Sequence, residues 1–238
     1  MANPHHLTVK RKEMKYYISH NDYVVLSNSL RKLLRPDAHN RKTGRGYIVR
    51  SLYFDTICNR SFEEKIAGIE DRAKYRLRIY NANSRWAKFE IKRKFNDFML
   101  KETAIISRKD AIEIQNRNYG VMLKYNDPIL LKAYGEFMKT HYHPVVLVEY
   151  EREAYTYDAN NIRIVFDKFL KSTALQLDIF EKRAFALQRI ENDLVIMEVK
   201  YHNFIPGWLK HFLQMPSFER SAISKYCISR IDNFGSIV

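Results

Sequence analysis

The sequence predicts an α+β chain: an eight-stranded antiparallel β-barrel, closed on itself, with helices packed around it. Three observations carry that prediction. About eight segments alternate apolar and polar residues with period two, the pattern of strands that bury one face. Nearly every polar strand face contains a cation. Amphipathic stretches with helical spacing lie between the strands and can cover their apolar faces. Closing the sheet would bring the charged faces into one lumen and leave the apolar faces for the helices.

The organising stretch is KYRLRIYNANSRWAKFEIKRK, residues 74–94. Lys74, Arg76, Arg78 and Tyr80 share one face; Tyr75, Leu77 and Ile79 share the other. After a turn at NANS, Trp86, Lys88, Glu90, Lys92 and Lys94 stand against Ala87, Phe89 and Ile91, completing a β-hairpin.

Taken in order, residues 12–18 alternate as a first strand with Glu13, Lys15 and Tyr17 on one face. Ser19 with Asp22 three residues on is a capping arrangement, and the stripe Tyr23, Leu26, Leu30 predicts a helix that stops before Pro36. Residues 37–46 read as a polar, basic loop. A strand over 48–55 sets Ser51, Tyr53 and Asp55 opposite Leu52 and Phe54, and a short helix over 59–69 ends near Gly68. Beyond the hairpin, 98–106 is a strand with Lys101 and Thr103 on one face. Ser107 caps a helix to about residue 118, and Asp127 with Pro128 starts another to about 142. Strands follow over 145–155, 162–167 and 194–201, placing Arg152, then Arg163 with Asp167, then Glu198 with Lys200, on polar faces. Helices over 208–215 and 221–232 close the chain.

The 238 residues suit a single domain over 11–238 after a flexible N-terminus at 1–10. The formal charge of +14 points to a polyanionic partner. With two cysteines, no metal-ligand spacing and no secretory or membrane-spanning stretch, a soluble cytoplasmic protein is expected. No nucleic-acid recognition signature accompanies the charge, so no nucleic-acid partner is expected.

A dry lumen crowded with Lys15, Arg76, Arg78, Lys92, Lys94, Arg152, Arg163 and Lys200 would repel itself strongly. It suits a wet tunnel that holds a triphosphate chain, with arginine forks and lysine point charges on the phosphates. The carboxylates Glu13, Asp55, Glu90, Asp167 and Glu198 are either counter-ions or holders of Mg²⁺ or Mn²⁺, which takes a few carboxylates together with phosphate oxygens. Glu198, Glu90 and Asp167 are the candidate metal ligands.

The motifs EMKY, SLYFDT (51–56), KYRLRIY (74–80), FEIKRK (89–94), VEYEREAY (148–155), RIVFDK (163–168), IMEVKY (196–201) and SKYCISR (224–230) occur in the order of the VTC polyphosphate polymerase domain. From about residue 11 to 233, the chain resembles that family, a branch of the CYTH-like triphosphate tunnel metalloenzymes. The resemblance implies a β-barrel tunnel that transfers the γ-phosphate of ATP onto inorganic polyphosphate with a divalent metal, Mn²⁺ or Mg²⁺. Carried over motif by motif, Arg76, Arg78, Lys92, Arg152 and Arg163 bind the triphosphate and Glu198 holds the metal. Lys225 of SKY reaches the tunnel from one end. Lys15, Lys94, Lys101, Lys200 and Tyr53 are further substrate contacts. The E-x-E-x-K opening of the superfamily's hydrolases and cyclases is here Arg11, Glu13, Lys15, which favours the VTC branch. A separate membrane partner for the product is a further expectation. The alternatives are a triphosphatase or cyclase of the same fold, or a non-catalytic polyanion-binding domain.

Overall fold

The computed structural model describes residues 12–43, 46–95, 98–182, 188–189, 194–213 and 218–234. Strand β1 (Lys12–Ser19) leads into helix α1 (His20–Leu33), whose start carries the full reciprocal cap between Ser19 and Asp22. A two-residue β2 (Arg35–Pro36) follows, and a short α2 (Ala38–Thr43) lies in the stretch 37–46 expected to be loop. Next come β3 (Tyr47–Asp55), α3 (Arg60–Ile66), and the hairpin of β4 (Arg72–Ile79) and β5 (Trp86–Phe95). After β6 (Phe98–Ser107), α4 (Arg108–Gln115) is capped by Ser107, and a 3₁₀ segment (Tyr119–Tyr125) precedes α5 (Pro128–Thr140). The Asp127 carboxylate caps α5, with Pro128 at its first turn. The chain ends with β7 (His143–Tyr157), β8 (Ile162–Thr173), β9 (Gln188–Arg189), β10 (Leu194–Tyr201), α6 (Gly207–Leu213) and α7 (Lys225–Phe234). No helix of the described residues is long and apolar enough to cross a membrane.

The strands form one antiparallel sheet in the order β1-β10-β8-β7-β3-β4-β5-β6, with β2 on β7 and β9 on β8. Register shifts at Tyr53/Phe54 in the β3–β7 ladder and at Glu149/Glu151 in the β7–β8 ladder interrupt the pleat, the irregularity that lets a sheet bend. The bend is large. Glu13 on β1 lies in the field of Lys92 on β5, although these strands stand near opposite ends of the order.

The expected closed barrel is not what the ladder shows: among the described residues β1 and β6 do not pair. The reason lies on the free edge of β1. Tyr16 forms a bridge with Arg220, and the Ser221 N–H donates to the Lys15 carbonyl. The chain leading into α7 thus satisfies the backbone groups that a closing strand would have used.

Three apolar clusters divide the packing. Outside one half of the sheet, α4, the 3₁₀ segment and α5 cover Leu52, Phe54, Leu77, Phe89 and Ile91, with the Phe137 ring between Phe54, Tyr75, Tyr119 and Tyr142. Outside the other half, Leu26 and Leu30 of α1 and Leu209 and Leu213 of α6 meet Ile18, Phe166, Met197 and Val199. The third cluster is inside. Tyr226 and Cys227 of α7, with Ile223 just before it, pack on Tyr53, Val146, Val148, Tyr150 and Ile196. One helix therefore fills part of the concave side.

Candidate functional site

Period-two alternation puts Ser51 and Tyr53 of β3, Arg76 and Arg78 of β4, Glu90 and Lys92 of β5 and Tyr150 and Arg152 of β7 on the concave face. Glu90, buried to 1% exposure, is the hub of the β4–β5 side. It accepts from Arg76 Nε at 2.7 Å, and lies 2.5 Å from Lys101 Nζ and 3.6 Å from Arg78. Burial alone would raise its pKa, but Arg76, Arg78 and Lys101 outweigh burial and hold its carboxyl far below the usual range. Arg76 also donates to the Tyr53 hydroxyl at 3.0 Å, and Arg78 to Ser51 at 3.2 Å and Tyr150 at 3.4 Å. Both guanidiniums are thereby fixed in direction as well as charge.

A second network sits where β7, β8, β10 and α7 meet. Arg152 donates two parallel hydrogen bonds to Asp167, at 2.7 and 2.8 Å. Lys225 lies 2.5 Å from Asp167 Oδ2 and 3.1 Å from Glu198 Oε1, crossing from the helix to both strands. Lys200 meets Glu198 Oε2 at 2.9 Å. Lys15 bridges Glu13 at 3.0 Å and Glu198 at 3.9 Å while donating to the Ile223 carbonyl. Burial opposes ionisation of Glu198, yet Lys200, Lys225, Lys15 and Arg152 hold it well below its ordinary pKa.

Between these networks stand two cations without a carboxylate. Lys92 is partly buried and has no ion pair among the described residues; burial, with Lys15, Lys200 and Arg76 adding repulsion against the pull of Glu13, pushes its pKa down to about 7. Lys74 is likewise pushed down by burial, and among the described residues its ammonium donates to Ser224 and, at 3.8 Å, to the Cys227 sulfur, with the Tyr226 ring beside it.

The remaining expected residues fall at the edges. Arg163 is at the rim, paired with Asp37 at 2.8 Å and the Tyr47 hydroxyl at 3.2 Å. Lys94 is partly buried near the end of β5, opposite Arg72.

A family model for the VTC domain matches residues 10–231. The chain belongs to the VTC domain family. No curated protein matches it in sequence. Solved structures share the fold at low identity. A candidate adenylyl cyclase from Hippeastrum with a dominant triphosphatase activity is 14% identical, with a TM-score of 0.55 over 93% of this chain and 95% of that one. A candidate adenylate cyclase from Bacillus halodurans is 12% identical, with a TM-score of 0.51 over 91% and 96%. One from Vibrio parahaemolyticus is 12% identical, with a TM-score of 0.50 over 93% and 98%.

In this VTC domain the three carboxylates expected to share a metal do not converge, and no group of three metal-ligating side chains occurs among the described residues. Glu90 is taken by Arg76, Arg78 and Lys101, and Asp167 by Arg152 and Lys225. Glu198 is likewise met by Lys200, Lys225 and Lys15, and Glu13 by Lys15, but these two carboxylates share one counter-ion whose place a hard divalent ion could take. They lie diagonally across the β1–β10 ladder on one face, with Lys15 between them, and two carboxylates plus phosphate oxygens suit Mg²⁺ or Mn²⁺. Asp55 belongs to the scaffold instead. It is fully buried, accepts from the backbone N–H of Thr56 and from those of Ser61 and Phe62 at the start of α3, and accepts from the Tyr226 hydroxyl of α7. Nothing in strand periodicity separates such an anchoring carboxylate from a ligand-facing one.

Proposed function

We propose that this VTC domain is a polyphosphate polymerase, transferring the γ-phosphate of ATP onto a growing inorganic polyphosphate chain. One observation carries the reading: positive charge on the concave face exceeds its counter-ions, with Lys92 held there unpaired at a pKa near neutrality. A site built this way is stabilised by a linear polyanion. Arg76 and Arg78, already aimed by Tyr53, Ser51 and Tyr150, would fork the phosphate oxygens on one side, while Lys225, Arg152 and Lys200 stand opposite.

In the transfer, a terminal phosphate oxygen of the polymer attacks the γ-phosphorus. The bond from that phosphorus to the β–γ bridging oxygen breaks, and the oxygen departs with ADP. No side chain forms a covalent bond, so the residues act by alignment and by charge. Lys92 would take up a proton as the phosphates arrive and offset charge on the leaving group. Glu13 and Glu198 would hold Mn²⁺ or Mg²⁺, which supplies further neutralisation of the phosphate oxygens.

A second reading is triphosphate hydrolysis, favoured by the triphosphatase activity of the Hippeastrum protein of similar fold. The test is incubation with ATP and Mn²⁺, with products resolved on a polyacrylamide gel stained for polyphosphate. The polymerase gives a ladder of long chains that disappears in Arg76→Ala and Glu198→Gln. Free phosphate with no ladder assigns the hydrolase.

A further inference from the structure

The end of the concave face away from α7 is built unlike the rest, out of aromatic rings. Along β4 the residues run from Lys74, beside α7, through Arg76 and Arg78 to Tyr80, which follows the strand. Along β3 they run from Tyr53, against Tyr226, back to Tyr47 at the strand's start. Tyr47 and Tyr80 meet there with ring centroids 5.9 Å apart, and His39 of α2 leans on both, at 5.0 and 5.5 Å. Lys88 lies 5.1 Å from the Tyr80 centroid, and Trp86, on the Lys88 face of β5, is 59% exposed.

This cluster adjoins the arginines. At Gly46 (φ +116°) an added Cβ would fall 2.8 Å from the Arg152 carbonyl, so the glycine keeps the chain tight against β7 at this rim. From the same rings the path to the phosphate-binding groups is short. Arg152 opposes Tyr47 in the β3–β7 register, Arg163 donates to its hydroxyl, and Arg78 stands two residues before Tyr80.

The geometry points to a nucleobase-binding subsite at this mouth: the base of a nucleoside triphosphate stacks on the Tyr47–Tyr80–His39 cluster while its phosphates run inward toward Arg163, Arg152 and Arg78. This rests on the triphosphate-binding reading above and adds to it which end the nucleoside occupies. Partly buried tyrosines are suited to the role. Their rings are held by neighbours, so little side-chain freedom is lost on binding, and every base offers a π-face to them. Stacking without a set of base-edge contacts gives little discrimination between ATP and GTP. It gives a clear preference for either over inorganic tripolyphosphate, which carries the phosphates and no base.

The experiment measures dissociation constants for ATP, GTP and inorganic tripolyphosphate by calorimetry without divalent metal, so that no turnover intervenes. Wild-type protein, Tyr47→Leu, Tyr80→Leu and Tyr80→Phe are compared. Stacking on an aromatic side chain is worth about 1–3 kcal/mol per base, so each leucine variant should lose roughly 5- to 150-fold in ATP and GTP affinity. Tripolyphosphate affinity should hold, which also certifies the folded lumen, and Tyr80→Phe should keep the nucleotide preference. An ATP-to-tripolyphosphate ratio unchanged in both leucine variants overturns the base subsite while leaving the phosphate site standing. Absence of tripolyphosphate binding by the wild-type protein overturns the triphosphate reading itself.

Discussion

Lys92 should make triphosphate binding depend on pH in a calculable way. In the free protein its pKa lies at about 7, so above neutrality the ammonium has mostly lost its proton. A bound polyphosphate restores a counter-charge and returns the group toward the ordinary lysine range of about 10.4. Binding therefore takes up a proton, and affinity falls as pH rises between those two values. From pH 7.5 to 9 the free site goes from about one-quarter protonated to about one-hundredth, which weakens ATP by roughly 25-fold, or about 1.9 kcal/mol. Phosphate second ionisations lie near 6, so the ligand's charge is nearly constant over this window. Calorimetry in chelator, repeated in two buffers of different ionisation enthalpy, should report an uptake of about 0.9 proton at pH 8. Lys92→Arg carries a permanent charge and should flatten the curve. An affinity that stays level from pH 7.5 to 9, or a slope that persists in Lys92→Arg, would refute the assignment of this lysine.

The same residue should cost stability. Its folded pKa is depressed, so the penalty is absent above the unfolded value near 10.5, grows as pH falls and is complete below about 7. Lys92→Met should therefore raise the Tm at neutral pH by several degrees, on the order of 2–4 kcal/mol, while weakening tripolyphosphate. Asp55→Ala removes the acceptor of three backbone N–H groups and of the Tyr226 hydroxyl. Denaturant unfolding should show a loss of about 3 kcal/mol or more. Glu198→Gln should keep metal-free tripolyphosphate binding, since it removes negative charge beside Lys200, Lys225 and Lys15, and should abolish the tightening produced by Mn²⁺. Mn²⁺ tightening that survives the substitution would remove Glu198 from the metal site.

Much of the sheet is legible because its code is local. A charged residue at every second position of 74–78 and 88–94 fixes which side chains share a face. Ser19, Ser107 and Asp127 announce helix starts by supplying an acceptor where backbone donors lack one. What periodicity cannot give is the partner across the concave space. Glu90, Asp167 and Glu198 stand on polar faces as expected, yet whether a carboxylate meets a metal or a guanidinium depends on how far the sheet curls and on where α7 enters. Residues 218–223 illustrate the same limit. Their sequence has no strand alternation, and they dock on β1 only because an edge of hydrogen-bonding groups is there to receive them. Tyr80 reads as one more residue of the cationic face of 74–80, and only the bend shows that Tyr47 and His39 gather on it.

The docking of residues 220–221 on β1 also bears on how this domain is made. β1 leaves the ribosome well before its partners, since one edge is satisfied by residues 194–201 and the other by residues 220–221. Contacts so distant in sequence form slowly, and a strand with both edges waiting is open to wrong pairings in the interval. The binding face is incomplete over the same interval, because Lys225 arrives only with α7. A nascent chain of this kind gains its full affinity for polyanions only once α7 has been made, and a polyanion that binds then can act as the ligand that holds the late contacts in place.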